Sequence, residues 1–170
     1  MSALPSQSRY IIGTEACERF SFYGMKSILM LYMTGHLLMS DNWGTSTLHI
    51  FMGMVYLLPL AGAWLADKVW GRYKTILYIS LLYCVGHGVL ATADLFHTIE
   101  ARRYILMAGL FIIALGAGGI KPCVSAFMGD QIPNKSPQLM TKAFNAFYWA
   151  INLGSFFSFL VIPAMEQRYG

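Results

Sequence analysis

Apolar residues run along this chain in long, nearly continuous stretches rather than in short alternating ones. Five stretches stand out, at about Tyr10–Leu38, Thr47–Ala66, Thr75–Ala93, Tyr104–Phe127 and Ala143–Pro163. Each is close to or above the roughly 20 residues that an α-helix needs to cross about 30 Å of hydrocarbon. Their length and lack of alternation exclude the strands of a membrane barrel. The pattern predicts an all-α membrane protein with five transmembrane helices. Short connections fall near Asp41 and near His97–Glu100, and longer polar loops at about 67–74 and 129–142. The last of these holds Pro133, Asn134, Ser136 and Pro137, residues of an irregular loop.

Composition agrees with a bilayer as solvent. The chain is 56% hydrophobic and 12% charged, whereas a soluble domain has about 45–50% apolar and about 25% charged residues. The net charge of +4 comes from Lys and Arg scattered among apolar segments with no basic run, which speaks against nucleic acid as a partner. Those charges report topology instead. With the N-terminus in the cytoplasm, Arg9, Lys68, Arg72, Lys74, Lys135 and Lys142 lie inside, and Arg102, Arg103 and Arg168 outside. The asymmetry favours a cytoplasmic N-terminus, with the Arg102–Arg103 pair pulling the other way. The nine residues before the first stretch are too short for a signal peptide, so no cleavage is expected. Cys17, Cys84 and Cys123 sit inside apolar segments without metal-ligand spacing, so neither a metal site nor a disulfide framework is predicted.

The first stretch carries Glu15, Glu18, Arg19 and Lys26. Each charge at mid-bilayer costs about 2.5–3.5 kcal/mol on insertion scales, so all of them facing lipid would cost about 10 kcal/mol. At about 100° per residue, Glu15, Glu18, Arg19, Phe22, Tyr23 and Lys26 share a stripe roughly 140° wide. Acids and bases balance along it, so they can pair away from lipid. A carboxylate beside an arginine stays ionised, and one that loses its partner in low dielectric takes up a proton. Such a stripe can couple protons to another event, or it can be a static ion-pair network that fixes packing. Intramembrane ionisable groups favour the functional reading.

In the fourth stretch, Lys121 follows Gly116, Gly118 and Gly119 and precedes Pro122. The glycines permit close helix approach and the proline a bend. Lys121 must face a cavity, pair with an acid or await an anionic ligand. His49 and Tyr56 lie seven residues apart on one face of the second helix, and Asn145, Tyr148 and Asn152 share a face of the fifth. A bundle of such helices would enclose a wet, charge-bearing pathway suited to a zwitterionic substrate. No nucleophile–base pair, phosphate-binding loop or metal cluster emerges, so an enzyme is not expected.

Four motifs in chain order resemble the proton-dependent oligopeptide transporters, a branch of the major facilitator superfamily. They are Glu15, Glu18, Arg19 and Phe20 as ExxERF; GAWLADKVWGRYKTI between the second and third helices; GAGGIKPCVSAFMGDQ from Gly116 to Gln131; and FYWAINLGSFFS from Phe147 to Ser158. The resemblance implies proton coupling by Glu15, Glu18 and Arg19, with His49 near the proton path. It implies a peptide pocket lined by Tyr23, Lys26, Tyr56 and Asn152. Lys121 would meet the peptide carboxylate or exchange partners with Glu15 or Glu18. Gly62, Asp67, Gly71 and Arg72 would belong to the gating loop motif. No cofactor is implied beyond protons as the coupling ion. The departures are Phe22 and Lys26, where the family commonly has Tyr and Arg, and Met128 in place of a common Gly. Lys keeps the charge of Arg but not its bidentate fork.

Family members have at least twelve spans in two six-helix bundles, so residues 1–170 correspond to a partial N-terminal bundle. The implied function is proton-coupled symport of di- and tripeptides by a complete transporter of which this chain is about half. The C-terminal half would be supplied by the same or a separate chain. Alternatives are another substrate of the wider family, such as nitrate or an amino-acid conjugate, or a truncated membrane fragment that transports nothing. The expected location is the plasma membrane of the cell, spanned several times.

Overall fold

The computed structural model describes residues 4–169, apart from the side chain of Lys135, so that charge of the inside set lies outside the described residues. Among the described residues the chain is helical almost throughout and contains no strand. Helix α1 (Ser6–Leu31) runs into a π-turn at Tyr32–His36. Helix α2 (Asp41–Leu57) is followed by α3 (Pro59–Leu65) and a second π-turn at Ala66–Trp70. Then come α4 (Arg72–Ala91), a 3-10 turn at Ala93–Leu95, α5 (Ile99–Asp130), a 3-10 turn at Pro133–Lys135, and α6 (Pro137–Tyr169).

Among the described residues, four rods are long and apolar enough to cross a membrane: Asp41–Trp70, Arg72–Leu95, Ile99–Asp130 and Pro137–Tyr169. Helix α1, with 26 residues, reaches about 39 Å at 1.5 Å per residue. Its length suffices, but Glu15, Glu18, Arg19 and Lys26 interrupt its apolar run.

Most helix ends lie outside the apolar stretches that announced them. Hydropathy marks where the chain meets hydrocarbon, whereas the backbone ladder continues into the polar layer. The expected loop at 67–74 is corrected accordingly: it is helical on both sides of Gly71, which alone breaks the ladder with φ 77° and ψ 159°. A side chain there would be strained, so glycine is the residue that permits the sharp join. The expected loop at 129–142 shrinks to 131–136. Ser40 caps α2 by accepting from the Trp43 N–H at 3.4 Å.

The chain divides into two compact units, Met30–Cys123 and Met1–Leu29 with Val124–Gly170, so both divisions fall inside helices, α1 and α5. Within Met30–Cys123, α5 is packed at backbone distance. A Cβ built on Gly62 would stand 2.5 Å from the Gly119 backbone, and one on Gly116 would stand 2.7 Å from the Tyr83 Cα. Gly118 meets Leu58, and Gly86 meets the backbone of Ile113. Lipid tails are as apolar as leucine, so helices in hydrocarbon associate through close packing. In the other unit α1 and α6 touch in the same manner, with Gly154 against the Ala16 carbonyl and Gly24 against Ile162. Met128, Ile132 and Ala143 form a small core there, joined by Ile11, Ile12, Leu139 and Met140.

Hydroxyls inside the rods donate back to their own helix. Ser27 bonds the Gly24 carbonyl at 2.7 Å, Thr34 that of Met30 at 3.0 Å, and Ser155 that of Ile151 at 2.8 Å. A polar group satisfied within its own turn can sit in hydrocarbon without a partner helix.

Gly62→Ala is expected to destabilise the chain by about 1–3 kcal/mol, because overpacking against backbone cannot relax by a rotamer change. Gly53→Ala, where a built Cβ meets nothing within 4 Å, is expected to leave stability unchanged or slightly raised. Unfolding midpoints of the two variants in the same detergent compare them directly.

Candidate functional site

Within the unit Met1–Leu29 with Val124–Gly170, the stripe of α1 is its buried face. Glu15, Glu18, Arg19 and Phe22 are all buried, and Tyr23 and Lys26 half-buried. Arg19 Nε lies 3.1 Å from Glu15 Oε1, and Arg19 Nη2 pairs with Glu18 Oε2. The spacing of four residues puts Glu15 directly under Arg19 on the helix surface. Glu18 is the chain neighbour of Arg19, and their side chains meet. One guanidinium therefore bridges two carboxylates, leaving the trio with a formal charge of minus one.

Rings complete the setting. The Arg19 guanidinium lies 5.6 Å from the Phe22 ring centre and 6.0 Å from that of Tyr23. Phe22 and Tyr23 meet edge-on at 5.6 Å, and Tyr23 lies 5.8 Å from Phe159 of α6. Phe22 is only 1% exposed, so the phenyl ring fits a place where a tyrosine hydroxyl would have needed a partner. Asn152, expected in the pocket, is exposed, and its Nδ2 donates to the Tyr148 carbonyl of its own helix at 2.8 Å.

Within Met30–Cys123, Lys121 Nζ lies 5.3 Å from the centre of the Tyr56 ring. The glycine contacts explain the meeting. Gly118 against Leu58 and Gly119 against Gly62 bring the backbones together just before Lys121 and just after Tyr56. Tyr56 is 69% exposed and Lys121 half-buried, and the ammonium and ring form a cation–π pair. His49, on the same rod, is exposed. The structure thus joins Glu15, Glu18, Arg19 and Tyr23 in one group and Lys121 and Tyr56 in another. Of the loop motif, Gly62 is a helix-crossing point, Asp67 lies in the π-turn, Gly71 makes the join and Arg72 opens α4.

One ring contact and the partners of one arginine pair were not legible in the sequence. His87 packs edge-on against Tyr83 at 4.6 Å, and its signal was a histidine inside an apolar run. Arg102 and Arg103, which opposed the charge asymmetry, have structural work. Arg103 Nε and Nη2 donate to the Leu37 carbonyl at 3.0 and 2.8 Å, and Nη2 also to that of Leu38 at 2.8 Å. Arg102 Nε donates to the Phe96 carbonyl at 2.7 Å. Both guanidiniums satisfy carbonyls where helices end.

A family profile, PTR2 (POT family), matches residues 73–170. The chain belongs to the POT family. This POT chain is 45% identical over 164 residues to Peptide transporter family 1 of Drosophila melanogaster, covering 95% of this chain and 22% of that protein. It is 40% identical over 167 residues to Solute carrier family 15 member 2 of Homo sapiens, covering 97% of this chain and 23% of that protein. Its fold matches the crystal structure of the POT family transporter PepTSo with a TM-score of 0.89 and 45% identity, over 99% of this chain and 34% of that one. The POT chain is therefore a multi-pass membrane protein whose five helical rods follow a transporter bundle. It spans about a quarter of the length of the curated relatives it matches.

Arg19 pairs with both buried carboxylates of the trio. Arg19→Met is expected to lower stability by about 3–5 kcal/mol, since Glu15 and Glu18 both lose that ion pair at a buried site. Adding Glu15→Gln and Glu18→Gln to it is expected to recover most of that loss. Chemical unfolding of the wild-type, single and triple variants in one detergent reads both effects.

Proposed function

We propose that this POT chain contributes to a symporter that carries di- and tripeptides together with protons across the plasma membrane, with its N-terminus in the cytoplasm. The observation that carries this reading is the buried Glu15–Glu18–Arg19 trio, an intramembrane group of two acids and one base on a single helix face. A structural purpose alone would be met by apolar residues at lower desolvation cost. A buried carboxylate that loses a cationic partner in low dielectric takes up a proton, and here two carboxylates contact one guanidinium.

In this reading Glu15 and Glu18 carry the coupling proton, Arg19 keeps one of them ionised, and His49 lies near the proton path. Lys121, with its ammonium over the Tyr56 ring, takes the carboxylate of the arriving peptide, and Tyr23, Lys26 and Asn152 give the pocket its remaining polar groups. Peptide and proton then assist one another's binding, because a coupling free energy acts equally in both directions. Gly62, Asp67, Gly71 and Arg72 serve the gating join between α3 and α4. The names of the relatives support the peptide class, since one is a Peptide transporter family protein. Alternating access is a rocking of one helix bundle against another, so the proposed cycle includes a second bundle, on the same or another chain.

Transport and labelling measurements test the reading. Purified residues 1–170 in proteoliposomes are expected not to accumulate dipeptide under a proton gradient, whereas a version extended by the second half of a relative is expected to do so. In that extended transporter, Glu18→Gln and Lys121→Gln are each expected to abolish uphill uptake. Peptide counterflow, which needs no proton gradient, is expected to survive in at least one of them. Wild-type accumulation by well-folded forms of both variants would refute the coupling role. For topology, a cysteine placed beside Arg72 is expected to resist an impermeant thiol reagent added from outside.

A further inference from the structure

Within Met30–Cys123, the connection between α1 and α2 and the first turns of α5 enclose a cavity of about 540 Å3, lined among others by Leu38, Trp43, Glu100, Arg103, Tyr104 and Met107. None of these residues belongs to the transport reading above. The size lies within the range of small-ligand sites, about 300–1,000 Å3.

Its charged groups are fixed and available. Arg103 is held by its three bonds to the Leu37 and Leu38 carbonyls through Nε and Nη2. Its Nη1 has no partner among the described residues. Leu38 adopts φ 50°, a left-handed conformation unusual for a branched side chain. Arg103 holds that strained carbonyl in place, and strain of this kind collects at ligand clamps. Glu100 lies on the same face of α5, three residues before Arg103, exposed and without a partner among the described residues. The cavity therefore presents one anion-seeking and one cation-seeking group side by side.

The surroundings match a membrane interface. Trp43 and Tyr104 are 68% and 76% exposed, and such amphipathic rings settle at the level of lipid head groups. Along α5 the wall runs from Glu100 to Met107, about 10 Å at 1.5 Å per residue. It changes from charged at the helix start to apolar one and a half to two turns deeper. A ligand with a zwitterionic head and a hydrocarbon tail matches that gradient; a soluble zwitterion matches only its upper end.

We propose that this cavity binds the head group of a phospholipid bearing a primary ammonium, with the phosphate on Arg103 and the ammonium on Glu100. Glu100 selects a primary over a quaternary ammonium because only the former can donate hydrogen bonds to a carboxylate. It also disfavours lipids with net negative charge. Leu38 and Met107 meet the first methylenes of the tails.

Native mass spectrometry of the purified chain in a nonionic detergent tests this, using equal amounts of phosphatidylethanolamine, phosphatidylcholine, phosphatidylglycerol and diacylglycerol with the same acyl chains. One phosphatidylethanolamine is expected to be retained about tenfold over the choline lipid, the scale of one charged hydrogen-bond set. Diacylglycerol, which lacks the phosphate, is expected not to be retained. Glu100→Gln, at an exposed position where folding is not at risk, is expected to erase the preference for ethanolamine over choline. Equal retention of all lipids, an unchanged preference in Glu100→Gln, or displacement of the lipid by soluble phosphoethanolamine at the same concentration would each overturn the proposal.

Discussion

Hydrocarbon offers no hydrogen bonds, so a charge placed in it must bring its own partner. Helix α1 obeys that constraint within its own length: Arg19 reaches Glu15 and Glu18 on one buried face. Pairing on the same helix makes the segment insertable before any other helix arrives. Phe22 and Tyr23 lie beside the guanidinium, and Phe159 of α6 beside Tyr23.

The second constraint is the absence of a hydrophobic drive between helices that are already in lipid. Close van der Waals contact must supply the association, and glycine supplies the closeness. In Met30–Cys123 the series Gly116, Gly118 and Gly119 lets α5 lie against α4 and against the α2–α3 rod at backbone distance. That approach places Lys121 over Tyr56. The packing glycines and Lys121 thus belong to one stretch of sequence because the glycines decide the surroundings of the lysine.

Much of the architecture was legible in residue order alone. The stripe from Glu15 to Lys26 was readable because a helix has a fixed period, and the face it defined is the buried face of α1. Helix ends were less legible. Gly71 alone interrupts the ladder where a whole loop was expected, since polar residues such as Asp67, Lys68 and Lys74 can continue a helix once it has left the hydrocarbon. The hydrogen bond from the Asn152 amide to the Tyr148 carbonyl of its own helix was not legible either, because spacing gives the face of a side chain and not its rotamer. Arg102 and Arg103 looked like misplaced topology charges. Their carbonyl partners at Leu37, Leu38 and Phe96 are set by the local course of the chain.

The sequence by itself determined the solvent of this protein, its helical class, the pairing face of α1 and the family motifs. These follow from composition, length and the 3.6-residue period, which act locally along the chain. Tertiary structure decided which side chains from distant segments meet: Lys121 with Tyr56, Gly62 with Gly119, and Arg103 with the carbonyls of a strained turn some 65 residues earlier. Such meetings depend on how closely two backbones approach. That distance is set jointly by residues on both helices, so neither segment alone contains it.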